Sequence, residues 1–359
     1  MTTQTAIALT TIAAPLTKIQ LPIPAPKDNE LLIKMTASAI APFDQKLRDL
    51  GLFNIGSRLP AVLTYDLVGI VSKHSPELSS TLAQKFPIGA HVMAQASLFN
   101  PVGGGLQEYT VIDARFSALV PKNIDDVEAA LFPINGFTSF AGLFSSEGGP
   151  EGKHHGLGIP FPGMPGSSNF NYANTTLAIL GGGTRCGKLA IQFAKLAGIG
   201  TIITTAGLNG AAELKKLGAT HVVDRHAKDL VSQVRSLTGD GLVYVYDTMS
   251  QGDFALPVSI LSNSKKGYFS HLLHGKIDEK VLESKKGGVE EWQMNGASGF
   301  HPKLAELFWG KIGGWIEGGL NGGGVDGVVE GLGEVGAINK AMDGLRDGGF
   351  ERWHVRVSS

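Results

Sequence analysis

Apolar positions in the first 135 residues fall into short β-type runs: "ELLIKMTASAIA", "LVGIVSKH", "GAHVMAQASLF", "LQEYTVID" and "FSALVP". Gly, Pro and Asn punctuate them, and helical periodicity is scarce. The pattern predicts a largely antiparallel barrel-like or sandwich lobe. From about Thr175 the pattern changes. Apolar strands alternate with segments of 3.6-residue period in "TTLAIL", "KLAIQFAKLAG", "GTIITTA", "GAAELKKLG", "THVVD", "AKDLVSQVRSLTG" and "LVYVYDTM". That alternation predicts a parallel, doubly wound sheet with βαβ crossovers. Residues 145–173, dense in Gly, Pro and Ser, read as a long loop. After a last sheet strand near "GYFSHLL", the segment 274–302 reads as a second loop, followed by the helix "KLAELFWGKIGGWIEGG". A helix and a final strand close the chain, and the glycine-rich segment 313–336 is expected to be mobile.

A chain of 359 residues with 43% apolar and 18% charged positions is long enough for two domains with sizeable cores. The 31 basic and 32 acidic residues nearly cancel, so nothing attracts a nucleic-acid backbone or an anionic membrane. The N-terminal stretch lacks the basic region of a signal peptide, and the expectation is a cytoplasmic protein. One cysteine, Cys186, excludes an internal disulfide and a four-cysteine zinc lobe.

The stretch "TLAILGGGTRCGKLAIQFAKLAG", Thr176 to Gly198, is where a dinucleotide-binding chain holds pyrophosphate. Thr184 stands where the middle glycine of G-x-G-x-x-G belongs. Gly181, Gly182, Gly183, Thr184, Arg185, Cys186 and Gly187 therefore form the candidate phosphate loop. Its backbone N–H groups and a helix from Lys188 face the anion, the Thr184 hydroxyl donates to a phosphate oxygen, and Arg185 adds a bidentate contact. NAD binders place an acid at the end of the second strand. Here "TIITTAGLNG" has none, which favours NADP(H), with Thr204, Thr205 and Asn209 as partners of the 2′-phosphate and Lys215 or Arg225 folding back to help.

The order of these segments, together with "LLIKMTASAIAPFDQKLRD", "LPAVLTYDLVGIV", "GGGLQEYTVI", "LVPKNIDDVEAALFPINGFTSFAGL" and "LKKLGATHVVD", resembles the medium-chain dehydrogenase/reductase superfamily over nearly the whole chain. The resemblance implies an α/β chain with a GroES-like β-rich catalytic lobe (1–137 and 306–359) and a doubly wound Rossmann domain (138–305). The zinc alcohol dehydrogenases of that superfamily carry a catalytic cysteine before a G-H-E segment. Here the matching stretches are "AIAPFDQK" and "TYDLVG", so the zinc ligands are missing. His154 with His155, and His271 with His274 at helix-compatible spacing, read as surface or loop histidines, and no metal is expected.

What remains resembles the zinc-independent quinone oxidoreductases and enoyl reductases, including stand-alone reductases that work with polyketide synthases. "APFDQK" is similar to their N-P-x-D-x-K, with Ala41 replacing the asparagine and Gln45 a frequent tryptophan. The resemblance places Lys46 near the nicotinamide, able to stabilise an enolate or deliver a proton, and Thr138 beside the carboxamide. Tyr65 is a second hydroxyl candidate. The structural alternatives are a solvated lysine, a core tyrosine and a threonine bonded to its own backbone; Asp44 and Asp66 are expected in turn and cap bonds. The expected activity is reduction of an α,β-unsaturated carbonyl compound (enone, quinone or enoyl thioester), small or carrier-bound, by a monomer or homodimer. A redox-neutral cyclase or isomerase and a non-enzymatic binding protein are the competing readings.

Overall fold

The computed structural model describes residues 2–97, 99–146, 148–149 and 154–358. The chain divides into two compact units, Met1–Ile134 with Glu306–Ser359, and Asn135–Ala305.

The first unit is built on the long strand Glu30–Ala39, which pairs antiparallel with Asp66–His74, with Tyr109–Asp113 and with the final strand Trp353–Arg356. Leu31, Ile33 and Met35 alternate into the core beside Leu67, Val71, Val92 and Ile112, as the period of a pleated strand requires. A side chain at Gly69 would run into the Lys34 carbonyl, so only glycine lets these central strands close. The glycine-rich segment 313–336 is not wholly irregular. Its Gly327–Glu330 forms a strand parallel to Trp353–Arg356, and Trp353 covers Gly327 so closely that a Cβ there would overlap the indole.

Helix Pro42–Leu50 was not evident from periodicity. It is set by local chemistry: Pro42 occupies the first turn, the Asp44 carboxylate accepts the Ala41 N–H at 2.8 Å and the Thr64 N–H at 2.9 Å, and Gly51 ends the helix at φ 64°. Asp66 accepts the Ile134 N–H at 2.7 Å, at the start of helix Pro133–Phe144. Both aspartates make the backbone bonds expected of them.

The second unit is a six-stranded parallel sheet in the order His221–Asp224, Thr201–Ala206, Thr176–Leu180, Tyr244–Asp247, Gly267–His271, Val289–Gln293. Strand order reverses between Thr176–Leu180 and Tyr244–Asp247, the switch point at which doubly wound sheets open a crevice at their carboxyl ends. The sixth strand corrects the reading of 274–302 as a loop. "VEEWQ" carries two carboxylates on a sheet edge, where one side is solvated, so it shows none of the apolar continuity of the inner strands. Between 145 and 173 the described residues form no strand and no α-helix.

Tyr246 is fully buried, with its hydroxyl 3.5 Å from the Thr138 carbonyl and its ring against Gly142. A Cβ at Gly142 would stand 2.5 Å from Tyr246 Cε2, so a glycine here sets how closely helix Pro133–Phe144 meets the sheet. Gly142→Ala is expected to lower unfolding stability by roughly 2 kcal/mol through overpacking. Gly299→Ala, whose Cβ meets nothing within 4 Å, should change it by less than about 0.5 kcal/mol. Denaturant midpoints of the two variants check the contrast.

Candidate active site

The glycine loop leaves the strand Thr176–Leu180 and enters helix Arg185–Ala197. Gly181 has φ 81°, and a side chain there would strike Met249; one at Gly182 would strike Thr204 Oγ1, and one at Gly187 the Gly181 carbonyl. These three glycines close the loop upon itself. Gly183 is different: a Cβ there meets nothing within 4 Å, and its N–H makes no hydrogen bond among the described residues. An open donor thus stands at the positive end of a 13-residue helix, the arrangement that cradles a phosphate.

Thr184 corrects two expectations. The helix starts at Arg185, three residues before Lys188, because Thr184 is its N-cap: Oγ1 accepts the Gly187 N–H at 2.9 Å. The same oxygen lies 2.9 Å from Thr248 Oγ1, which donates to the Leu180 carbonyl at 2.9 Å. With the Thr248 proton committed to Leu180, the Thr184 proton goes to Thr248. The Thr184 hydroxyl therefore holds the loop instead of reaching a phosphate. Arg185 and Cys186 occupy the first turn of the helix; Cys186 Sγ donates to Asn135 Oδ1 at 3.6 Å, and its carbonyl accepts from Ser139 at 2.9 Å.

The second-strand residues are corrected similarly. Thr204 is fully buried and donates to the Ile179 carbonyl at 2.7 Å, while Thr205 Oγ1 accepts the Gly181 N–H at 3.2 Å. Both brace the glycine loop. Asn209 lies exposed in the short turn Leu208–Gly210, and Arg225 is exposed beside it, its N–H donating to the Ala206 carbonyl at 3.0 Å. Lys215 lines a groove with Thr220, His221 and Gln233, at the amino end of strand His221–Asp224. Ligands of such sheets sit at the carboxyl ends, so Lys215 is on the wrong side for the 2′-phosphate. Lys188 pairs with Glu213 at 2.6 Å.

Thr138 lies on helix Pro133–Phe144 with Gly296 pressed on it; any Cβ at 296 would overlap Thr138 Oγ1. Next to it, Asn135 Nδ2 is buried without a hydrogen-bond partner, as is Asp247 Oδ2, whose other oxygen accepts the Met249 and Ser250 N–H groups. Buried polar atoms left unpaired cost about 1–3 kcal/mol each, and these two leave a donor and an acceptor open to a ligand near the carboxyl ends of the sheet. The open Gly183 cradle and the Asn135 donor fit an anionic, hydroxyl-rich dinucleotide.

In the first unit Lys46 is half-buried on helix Pro42–Leu50 and makes no ion pair among the described residues, whereas its neighbours are committed. Gln45 donates to Asp49 at 2.7 Å, and Arg48 bridges Asp49 and Asp343. Tyr65 is 3% exposed in the core, edge-on to Phe43 at 5.6 Å. Burial, with the Asp44 charge, pushes its phenol far above the usual value, so it keeps its proton throughout the working range.

His154, His155 and His274 lie in loops, as the sequence reading has it, and His271 departs from that reading. His271 is not on a helix or at the surface: it ends a sheet strand, 4% exposed, with Nδ1 2.8 Å from the Leu273 carbonyl and Nε2 3.1 Å from Glu291. His154 stacks on Phe300 and His155 on Trp292. Among the described residues no three His, Cys, Asp or Glu side chains converge as metal ligands. His301, which sequence patterns did not single out, is fully buried: Nε2 donates to the Asn295 carbonyl and Nδ1 accepts from Ser145, both at 2.8 Å. It ties the segment carrying Gly296 to the end of the helix carrying Thr138.

Residues 27–122 match the alcohol dehydrogenase GroES-like domain, and residues 186–266 match the zinc-binding dehydrogenase family. The chain belongs to the medium-chain dehydrogenase/reductase superfamily. It is 30% identical over 238 residues to the 2-methylene-furan-3-one reductase of Solanum lycopersicum, a match that takes in 66% of this chain and 54% of that protein. It is 28% identical over 262 residues to the trans-enoyl reductase tazE of Aspergillus terreus, 71% of this chain and 80% of the relative. The fold matches an alcohol dehydrogenase superfamily protein from Novosphingobium aromaticivorans with a TM-score of 0.76 at 20% identity, over 99% of this chain and 100% of that one.

Burial, aided by the charges of His154 and His155, pushes His301 down to about 4 from its ordinary 6.5. The unfolded chain therefore takes up a proton at this site between those values while the folded chain does not. Stability due to His301 is complete above about pH 6.5 and falls as pH drops towards 4, by about 3 kcal/mol in total. Unfolding midpoints across this range should show that extra slope in the wild type and not in His301→Phe.

Proposed function

We propose that this protein is a zinc-independent, NADPH-dependent reductase of α,β-unsaturated carbonyl compounds, free or carrier-bound. The observation that carries the cofactor half is the phosphate loop with its single open glycine, followed by the strand Thr201–Ala206 and the turn to Ala212, which contain no acid. A carboxylate in that turn would repel a 2′-phosphate; here Asn209 stands in it, and the exposed Arg225, just after the next strand, hydrogen-bonds the Ala206 carbonyl at the strand's end. Zinc independence is supported by the first unit, where Ala41–Lys46 and Tyr65–Gly69 supply neither cysteine nor histidine.

The nicotinamide, when bound, supplies the hydride for the β-carbon. The protein's tasks are to orient that ring and to meet the charge that develops on the substrate oxygen. Gly183 and the helix dipole take the pyrophosphate. Thr138, held by Gly296 and Tyr246, is fixed in place to meet the carboxamide, and Asn135 Nδ2 offers a further donor. Lys46 has no carboxylate partner among the described residues, so its ammonium remains available to stabilise an enolate or to return a proton to the α-carbon. Tyr65, locked protonated, offers a hydrogen bond but no base. The relatives' names agree with this chemistry: one is a reductase of a methylene ketone, another a trans-enoyl reductase.

NADPH absorbance should fall when the protein meets a panel of enones and enoyl thioesters. Lys46→Met is expected to cut kcat about a hundredfold while leaving the NADPH Kd unchanged. Tight NADPH binding with no turnover on any acceptor would favour the redox-neutral reading, and unchanged turnover in Lys46→Met would remove the lysine from the reaction.

A further inference from the structure

The chain contains four Asn-Gly pairs, at Asn135, Asn209, Asn295 and Asn321. In such pairs the glycine nitrogen meets no Cβ on its own residue as it approaches the asparagine Cγ, so cyclisation is easiest there. Three of the four are restrained. Asn135 is helical with its Oδ1 engaged by Cys186; Asn295 Oδ1 accepts the Ala297 N–H at 3.1 Å while its carbonyl is held by His301; Asn321 Oδ1 accepts the Gly323 N–H at 2.7 Å. Asn209 is exposed, and its side-chain amide makes no hydrogen bond among the described residues. It sits in a one-turn 3-10 segment closed by two backbone bonds, Gly210 N–H to the Gly207 carbonyl at 3.1 Å and Ala211 N–H to the Leu208 carbonyl, and the space beside Gly210 is empty. Short 3-10 turns open locally at little cost.

We propose that Asn209 is a site of spontaneous deamidation, and that the modification weakens NADPH binding and shifts the chain towards NADH. The chemistry needs only water. The Gly210 nitrogen forms a bond to Asn209 Cγ, the Cγ–Nδ2 bond breaks, and ammonia leaves with the proton from the glycine amide. Water then opens the cyclic imide at either carbonyl, giving aspartate or isoaspartate; no electrons are exchanged with any redox partner. Either product places a carboxylate in the acid-free turn after the second sheet strand. That turn directly follows the strand end from which an acid accepts a ribose 2′-hydroxyl and repels a 2′-phosphate. The isoaspartyl product also lengthens the main chain by one methylene and so displaces the turn. The cofactor consequence rests on the NADPH reading above; the modification itself does not.

The full chain should be aged at mildly alkaline pH beside Asn209→Ser, which cannot cyclise by losing ammonia, and Asn209→Asp, which mimics the product. Peptide mapping is expected to show a one-dalton gain and isoaspartate at Asn209 before any other Asn-Gly pair. The NADPH Kd of the aged wild type and of Asn209→Asp should rise about tenfold relative to NADH, while Asn209→Ser keeps a constant Kd during ageing. Earlier reaction at another pair, or none at Asn209, would overturn the site. Modification at Asn209 with unchanged Kd values would overturn its effect on the cofactor. A fresh wild type that binds no NADPH would overturn the cofactor reading and leave the deamidation result standing.

Discussion

The hydrogen-bond chain Gly187 N–H to Thr184 to Thr248 to the Leu180 carbonyl is the constraint on which the ligand-facing end of the second unit depends. It joins the helix start, the glycine loop and the ends of two neighbouring strands through two hydroxyls, each used as donor and acceptor. An N-cap of this kind contributes about 1 kcal/mol, a modest figure for what it organises. Thr184 takes the Gly187 N–H and Thr205 takes those of Gly181 and Gly182, while Gly183 faces open space. The cradle is the place where this bracing leaves a backbone donor facing open space.

The same division between committed and uncommitted groups runs through the chain. Asp44, Asp66, Gln45 and Arg48 are bound to backbone or to one another, and they shape the helices that carry their neighbours. Lys46 and Asn209 stay available for ligand or solvent, and Arg225 commits its Nε to the neighbouring His226 at 3.0 Å. His301 belongs to the first group although its chemistry would suit the second: burial keeps it neutral, and neutrality lets it accept from Ser145 and donate to Asn295 at once. A charged imidazole would donate from both nitrogens, and the Ser145 hydroxyl would then accept where it now donates.

Much of this was legible in the sequence. The apolar strands and amphipathic helices from Thr175 onward announce the doubly wound sheet because both faces of its inner strands are buried. The edge strand Val289–Gln293 was hidden by its carboxylates, and helix Pro42–Leu50 by an irregular apolar pattern whose real signals are Pro42, Asp44 and Gly51. Site residues were harder. Their types say what they can bind but not what already binds them, which is why Thr184, Thr204 and Thr205 proved to be braces and Lys215 proved to face the other end of the sheet. His301 and Asn135 gave no signal, since their meaning lies in partners distant along the chain.

The central claim is that Gly183 borders a dinucleotide phosphate. The Cβ that Gly183→Val adds meets nothing within 4 Å in the fold, while a phosphate held against the Gly183 N–H would have no room beside the new side chain. Titration with NADPH, with thermal unfolding measured alongside, is the direct test. The account predicts an unchanged Tm for the free protein and a loss of measurable NADPH affinity. Wild-type affinity in Gly183→Val would contradict it.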